Sequence, residues 1–194
     1  MLTTDVIEAA TDHKPARRGS PEKEEEIMGL SIRAYTNLAE TTETDVSYSA
    51  SEDRTITFYS VGYTEVNFPG RTKGLKPDTP YKYDEELDFH AGSYSGYNRW
   101  RDLLARMAGY DSAEAVWSDT KPGPCTELRT FSDCEGVIGP ITAAKLARDF
   151  SEFADTARAF ADTLGVEGEY WLSKFGEWRK VFEKTAGNGA VEFF

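Results

Sequence analysis

Two aromatic stripes near the C-terminus constrain this chain more than anything else in it. Between Ile141 and Leu164, the residues Leu146, Phe150, Phe153, Ala157, Phe160 and Leu164 recur at steps of three and four. That spacing puts them on one face of an α-helix. Gly165 ends the pattern, and Trp171, Phe175, Trp178 and Phe182 form a second stripe that stops before Gly187-Asn188-Gly189. A helix with a wide apolar face must bury it, and a short connection folds the second helix back along the first. The aromatic stripe reads as core rather than as a cofactor box.

The sequence upstream supplies a second layer. Leu30, Ile32 and Ala34 alternate with Ser31, Arg33 and Tyr35, as in a half-buried strand. Arg54 to Val61 is rich in β-branched and aromatic residues and reads as the best strand of the chain, with Tyr63 to Phe68 pairing to it across a bend at Gly62. Val46-Ser47-Tyr48, Leu128 to Phe131 and the terminal Ala190 to Phe194 read as further strands. Pro69 to Pro80 reads as an irregular loop with a basic cluster of Arg71, Lys73 and Lys76, and Lys121 to Pro124 as a turn. The expected fold is α+β: a small antiparallel sheet packed against a C-terminal antiparallel pair of amphipathic helices.

Residues 1–27 stand apart. They carry seven acidic and four basic residues around Pro15 and Pro21 and read as a disordered acidic tail. Met28-Gly29-Leu30 marks a change of character. Glu24 to Ile27 is compatible with a purine-rich ribosome-binding site, which makes Met28 a candidate for the true start. Residues 28–194 then form a single α+β domain.

Net charge is −12 with Lys+Arg 22 against Asp+Glu 34. Unaided binding to a phosphate backbone needs the opposite sign, as does attraction to an anionic membrane surface. No apolar run approaches the length of a membrane helix, and Cys125 and Cys134 match neither a disulfide framework nor a zinc pattern. The expectation is a cytoplasmic protein that contacts neither nucleic acid nor membrane directly.

Chemistry-bearing residues concentrate between Glu86 and Tyr110. In a strand over Glu86-Leu87-Asp88-Phe89-His90, Glu86, Asp88 and His90 share one side. Two carboxylates and an imidazole make a candidate half-site for a divalent metal; the solvated face of an antiparallel strand gives the same pattern. The turn from Gly92 to Gly96 precedes a helix, so its amides, with Ser93, Ser95, Asn98, Arg99 and Arg101, are candidates to hold an anion. Equally, small residues make a tight turn, with Ser95 or Asn98 as N-cap. The phosphate-loop, dinucleotide and serine-elbow patterns are each absent. Asp133 and Glu135, in the turn before Gly139-Pro140, are the acidic residues that would join His90 as catalytic groups. A calcium loop placed on Gly136 puts Phe131 first and Thr142 twelfth, and fails. Cys134 with His90 as nucleophile and base lacks any local signature.

Met28-Gly29-Leu30, Ala91 to Tyr97 with Trp100-Arg101, Phe131 to Pro140 with Ala144-Lys145-Leu146, and Asn188 to Phe193 together resemble a group of small uncharacterised bacteriophage and prophage proteins. The resemblance spans Met28 to the C-terminus. It implies a phage-associated origin and a bacterial host cytoplasm, and carries no activity or catalytic residues. Three functions follow. The first is a non-enzymatic interaction module acting on a host or defence protein through its carboxylates. The second is a metal-dependent enzyme or binding protein for a nucleotide or other phosphorylated small molecule, which requires the Gly92–Gly96 and Asp133–Gly136 turns to meet. The third, a structural role in a virion, finds neither repeats nor heptads to support it.

Overall fold

The computed structural model describes residues 29–42, 54–119 and 123–194. The tail over 1–27, the Met28 start, the Val46–Tyr48 strand and the first half of the Lys121–Pro124 turn lie outside the described residues. The protein is α+β. Strand β1 (Leu30–Tyr35) lies between β5 (Glu86–Gly92) and β7 (Ala190–Phe193), and β6 (Gly136–Ile138) completes a four-stranded sheet of order β5-β1-β7-β6. All of its neighbouring strands are antiparallel. A smaller antiparallel sheet has the order β2 (Ala39–Glu40), β4 (Pro80–Lys82), β3 (Thr55–Thr57).

The helices pack on one face of the larger sheet. They are α2 (Tyr94–Met107), α5 (Pro140–Glu152), α6 (Ala154–Thr163) and α7 (Gly168–Thr185). Leu30, Ile32 and Ala34 of β1 share a core with Val191, Phe193 and Ile138 beneath these helices, as period-two alternation requires. Trp178 is the hub, with the rings of Phe89, Tyr97, Trp100, Phe182 and Phe193 at 4.9–5.8 Å. Trp100 Nε1 donates to Trp171 C=O and Trp171 Nε1 to Trp100 C=O, each at 3.2 Å, which ties α2 to α7. The aromatic stripes pair as expected: Phe150 meets Phe175 and Phe182, and Phe160 meets Trp171, so α5 and α6 run antiparallel to α7. Gly168 lets the helices close at their turn, since a Cβ there would stand 2.1 Å from Ala161 C=O.

Three expectations are corrected. The helix expected over Ile141–Leu164 bends at Phe153 (φ −93°, ψ 7°) into α5 and α6. Backbone bonds still run from Phe153 N–H to Asp149 C=O and from Ala157 N–H to Phe153 C=O, so this is a kink and not a loop. Tyr63–Phe68 is no strand: α1 (Val61–Asn67) occupies it, and the strand before it shrinks to Thr55–Thr57. Val61, Thr64 and Phe68 turn inward at helical spacing, and tertiary burial overrides β-propensity. Leu128–Phe131 likewise gives way to α4 (Thr126–Arg129), with Leu128 and Phe131 buried three residues apart. A short helix α3 (Ala113–Val116) is capped by Ser112, whose hydroxyl accepts from Ala115 N–H at 3.2 Å.

Candidate functional site

Strand β5 carries the first set of candidates. Its register opposes Tyr35 to Glu86, Arg33 to Asp88 and Ser31 to His90, so Glu86, Asp88 and His90 share the face away from the large helices. Glu86 is held there: Arg33 Nε stands 2.8 Å from Oε1, and Tyr83 Oη donates to Oε2 at 3.0 Å. Asp88 is exposed. His90 is half-buried with its ring edge against Gly29, where a Cβ would lie 2.7 Å from Cε1. Two residues that sequence reasoning did not single out complete this face. Glu192 lies opposite Arg33 on β7, and Tyr35 Oη donates to its Oε2 at 3.5 Å. Burial raises the Glu192 carboxyl above its ordinary range, and burial likewise raises the Tyr35 phenol.

Asp133 and Glu135 sit at the other end of the sheet. They precede β6, and β6 and β5 are opposite edges with β1 and β7 between them. Three inter-strand steps separate these two strands by about 14 Å. Among the described residues, no three His, Cys, Asp or Glu side chains form a group that could hold a metal ion.

The helix that follows the Gly92–Gly96 turn reaches the Asp133–Gly136 turn. Asn98 Nδ2 donates to Asp133 Oδ2 at 2.7 Å, and Arg101 donates to Asn98 Oδ1 and to Phe131 C=O. The helix begins at Tyr94, earlier than expected, with Ser93 and neither Ser95 nor Asn98 as its N-cap; the Ser93 hydroxyl accepts from Gly96 N–H at 3.1 Å. Arg99 is taken by both carboxylate oxygens of Glu167, at 2.6 and 2.7 Å. What remains is a shallow cleft of about 560 Å³ lined by Ser95, Asn98, Arg99, Asp102, Arg106 and Asp111, with charges of both signs. At the start of α5 the backbone amides are engaged: Gly139 N–H donates to Arg71 C=O and Ile141 N–H to Lys73 C=O.

A buried polar cluster around α4 also escaped sequence reasoning. Lys145 Nζ contacts Glu127 (2.6 Å), Asp149 (2.7 Å) and Gly123 C=O (3.3 Å), and Asp149 accepts from Cys125 N–H. Burial raises the Cys125 thiol far above its usual value. Arg129 is fully buried, over the Tyr110 ring at 4.6 Å, and donates to Thr126 Oγ1 at 2.9 Å. The only sequence signal was Lys145 and Asp149 at i, i+4.

No protein-family model, curated protein or solved structure matches this chain. Among the described residues no helix is long and apolar enough to cross a membrane. The site is therefore read from its own geometry. The Gly96 amide is spent on the cap, Arg99 on Glu167 and Arg101 on Asn98 and Phe131 C=O, whereas the acidic edge at β5 faces outward.

Proposed function

We propose that this is a phage- or prophage-encoded interaction module of the bacterial cytoplasm, non-enzymatic, whose carboxylates bind a basic surface on a host or defence protein. The observation that carries the reading is the acidic rim along β5, where Asp84, Glu85, Glu86 and Asp88 are all exposed. Arg33 offsets Glu86, Lys184 stands 3.6 Å from Glu85 and Arg54 donates to Asp84 C=O, so among the described residues the charge with no cation at hand is that of Asp88. Such charge accelerates encounter and selects partners of opposite sign. The test is a pull-down from bacterial lysate with the wild-type chain beside Asp84→Lys/Asp88→Lys. A basic protein retained by the wild type, released by salt and lost with the variant supports the reading. Equal retention by both chains, or none by either, removes it.

A second reading, a binding protein or metal-dependent enzyme for a nucleotide or other phosphorylated small molecule, draws on one observation: Asn98, on the helix after the Gly92–Gly96 turn, bonds Asp133 and lines a cleft with Ser95 and Arg99. Titration with ATP and magnesium, followed by thermal shift, tests it. A shift abolished by Arg99→Ala favours this reading, and no shift at millimolar ligand eliminates it.

A further inference from the structure

The hydrogen-bond register determines which backbone groups of the β5 edge are free. Ser31 and Phe194 exchange both backbone bonds, at 2.9 and 3.1 Å. Along β1, Ser31, Arg33 and Tyr35 therefore bond towards β7, and Ile32, Ala34 and Thr36 towards β5. Thr36 N–H donating to Glu85 C=O at 3.0 Å keeps the alternation. Across the ladder, Leu87 and Phe89 turn their backbone inward to β1, and Glu86, Asp88 and His90 turn theirs outward. Lys174 Nζ takes the His90 C=O at 2.9 Å. Among the described residues no backbone partner meets Glu86 or Asp88.

We propose that this edge accepts an extended segment of a partner protein as an added antiparallel or parallel strand, and that the segment alternates basic with apolar residues. The inference rests on the interaction-module reading and specifies how the partner is held. Main-chain bonds to Glu86 and Asp88 supply the docking, and the two sheet faces supply the pattern. On one face the added strand meets Glu86 and Asp88, with Glu192 and Arg33 beyond and Arg54 beside Asp84, so carboxylates outnumber guanidinium groups by three to two. Lysine or arginine fits there. On the other face it meets Leu87 and Phe89, both only half-buried, which favours an apolar side chain. A groove of about 400 Å³ lined by Arg54, Tyr83, Glu85, Glu86 and Leu87 borders the same edge. A second copy of this chain is a poor occupant, because pairing β5 with β5 sets carboxylate against carboxylate.

The probe is a capped peptide of about seven residues alternating lysine and valine, beside the same peptide N-methylated at alternate residues on one edge. The unmodified peptide is expected to bind, with slowed hydrogen exchange at the Glu86 and Asp88 amides, and N-methylation to weaken it about tenfold or more, the worth of one or two hydrogen bonds. Beside Asp88→Ala, which removes the carboxylate alone, Asp88→Pro removes in addition an outward donor and no bond to β1, and is expected to weaken binding further. Should that variant not fold, the exchange pattern of the wild type decides. Equal binding of both peptides overturns the added strand and leaves the acidic contact standing. No binding of either at low salt overturns the inference and the interaction reading with it. Concentration-dependent dimerisation that protects the same amides without peptide overturns the assignment of a foreign partner.

Discussion

At the β6 edge of the sheet, the outward amide of Val137 donates to the buried Thr64 hydroxyl at 3.1 Å, and the loop after α1 adds bonds from Gly139 N–H to Arg71 C=O and from Thr142 Oγ1 to Gly70 C=O. At the β5 edge, among the described residues, a lysine side chain covers His90 C=O and no backbone partner meets Glu86 or Asp88. An edge strand is a template for pairing, and proteins cover it, charge it or use it. This chain invests a helix and a long loop in closing one edge and leaves the other with carboxylates. The difference shows that the fold itself can seal an edge by an inserted hydroxyl. Among the described residues the β5 edge is guarded by charge and by Lys174 at His90, and charge yields to a partner of opposite sign.

The largest effect expected from breaking this comparison lies within β5 itself. Phe89 turns its backbone to β1 and its ring to Trp178 at 4.9 Å, so Phe89→Pro loses ladder bonds and core packing together. The cost is at least about 3 kcal/mol, against under about 1 kcal/mol for Asp88→Pro one residue earlier. Urea midpoints of the two variants measure it; similar losses would mean that the register is not the one described.

At the closed edge, Thr64→Val keeps the shape and removes the acceptor. The Val137 amide is then buried without a partner, at a cost of about 1–3 kcal/mol. Gly139→Ala attacks the same seal from the loop side. Its Cβ would stand 2.7 Å from the carbonyl oxygens of Thr72 and Lys73, and overpacking costs about 1–3 kcal/mol. Both variants should also speed hydrogen exchange at Val137 while leaving Asp88 as it was. A chain as stable as wild type would show that the loop closes this edge without Thr64.

The open edge was legible in the sequence and the closed one was not. Glu86, Asp88 and His90 on one face of a strand follow from alternation alone, as do β1, the terminal strand and the aromatic stripes, because each is a periodic pattern meeting one core. The closed edge depends on Thr64, a β-branched residue in a segment whose composition favours a strand. It becomes helical because Val61, Thr64 and Phe68 have a core to face. The candidate site divides the same way. Asn98 meeting Asp133, Arg99 meeting Glu167 and Lys145 meeting Glu127 are long-range pairings that no local spacing encodes.

The smallest effect concerns Glu192, on β7 between the two edges. Burial raises its carboxyl above the ordinary 4.5, while the Arg33 charge and the Tyr35 hydroxyl pull it back and Glu86 adds a further push upward. In the unfolded chain Glu192 loses its proton near that ordinary value, whereas the folded protein still holds it. Between the two values the folded state binds more protons, so stability falls as pH rises from about 4.5 towards the raised value, and the loss is complete above it. Urea midpoints across that window should decline slightly for the wild type. Glu192→Gln should flatten the decline, because it leaves no proton to lose, and Arg33→Gln should widen the window by removing the charge that restrains the shift. A decline that persists unchanged in Glu192→Gln places the titrating group elsewhere. A decline that disappears shows that the interior of this polar face is already desolvated before any partner arrives, so an added strand at β5 would extend a partly dry surface instead of creating one.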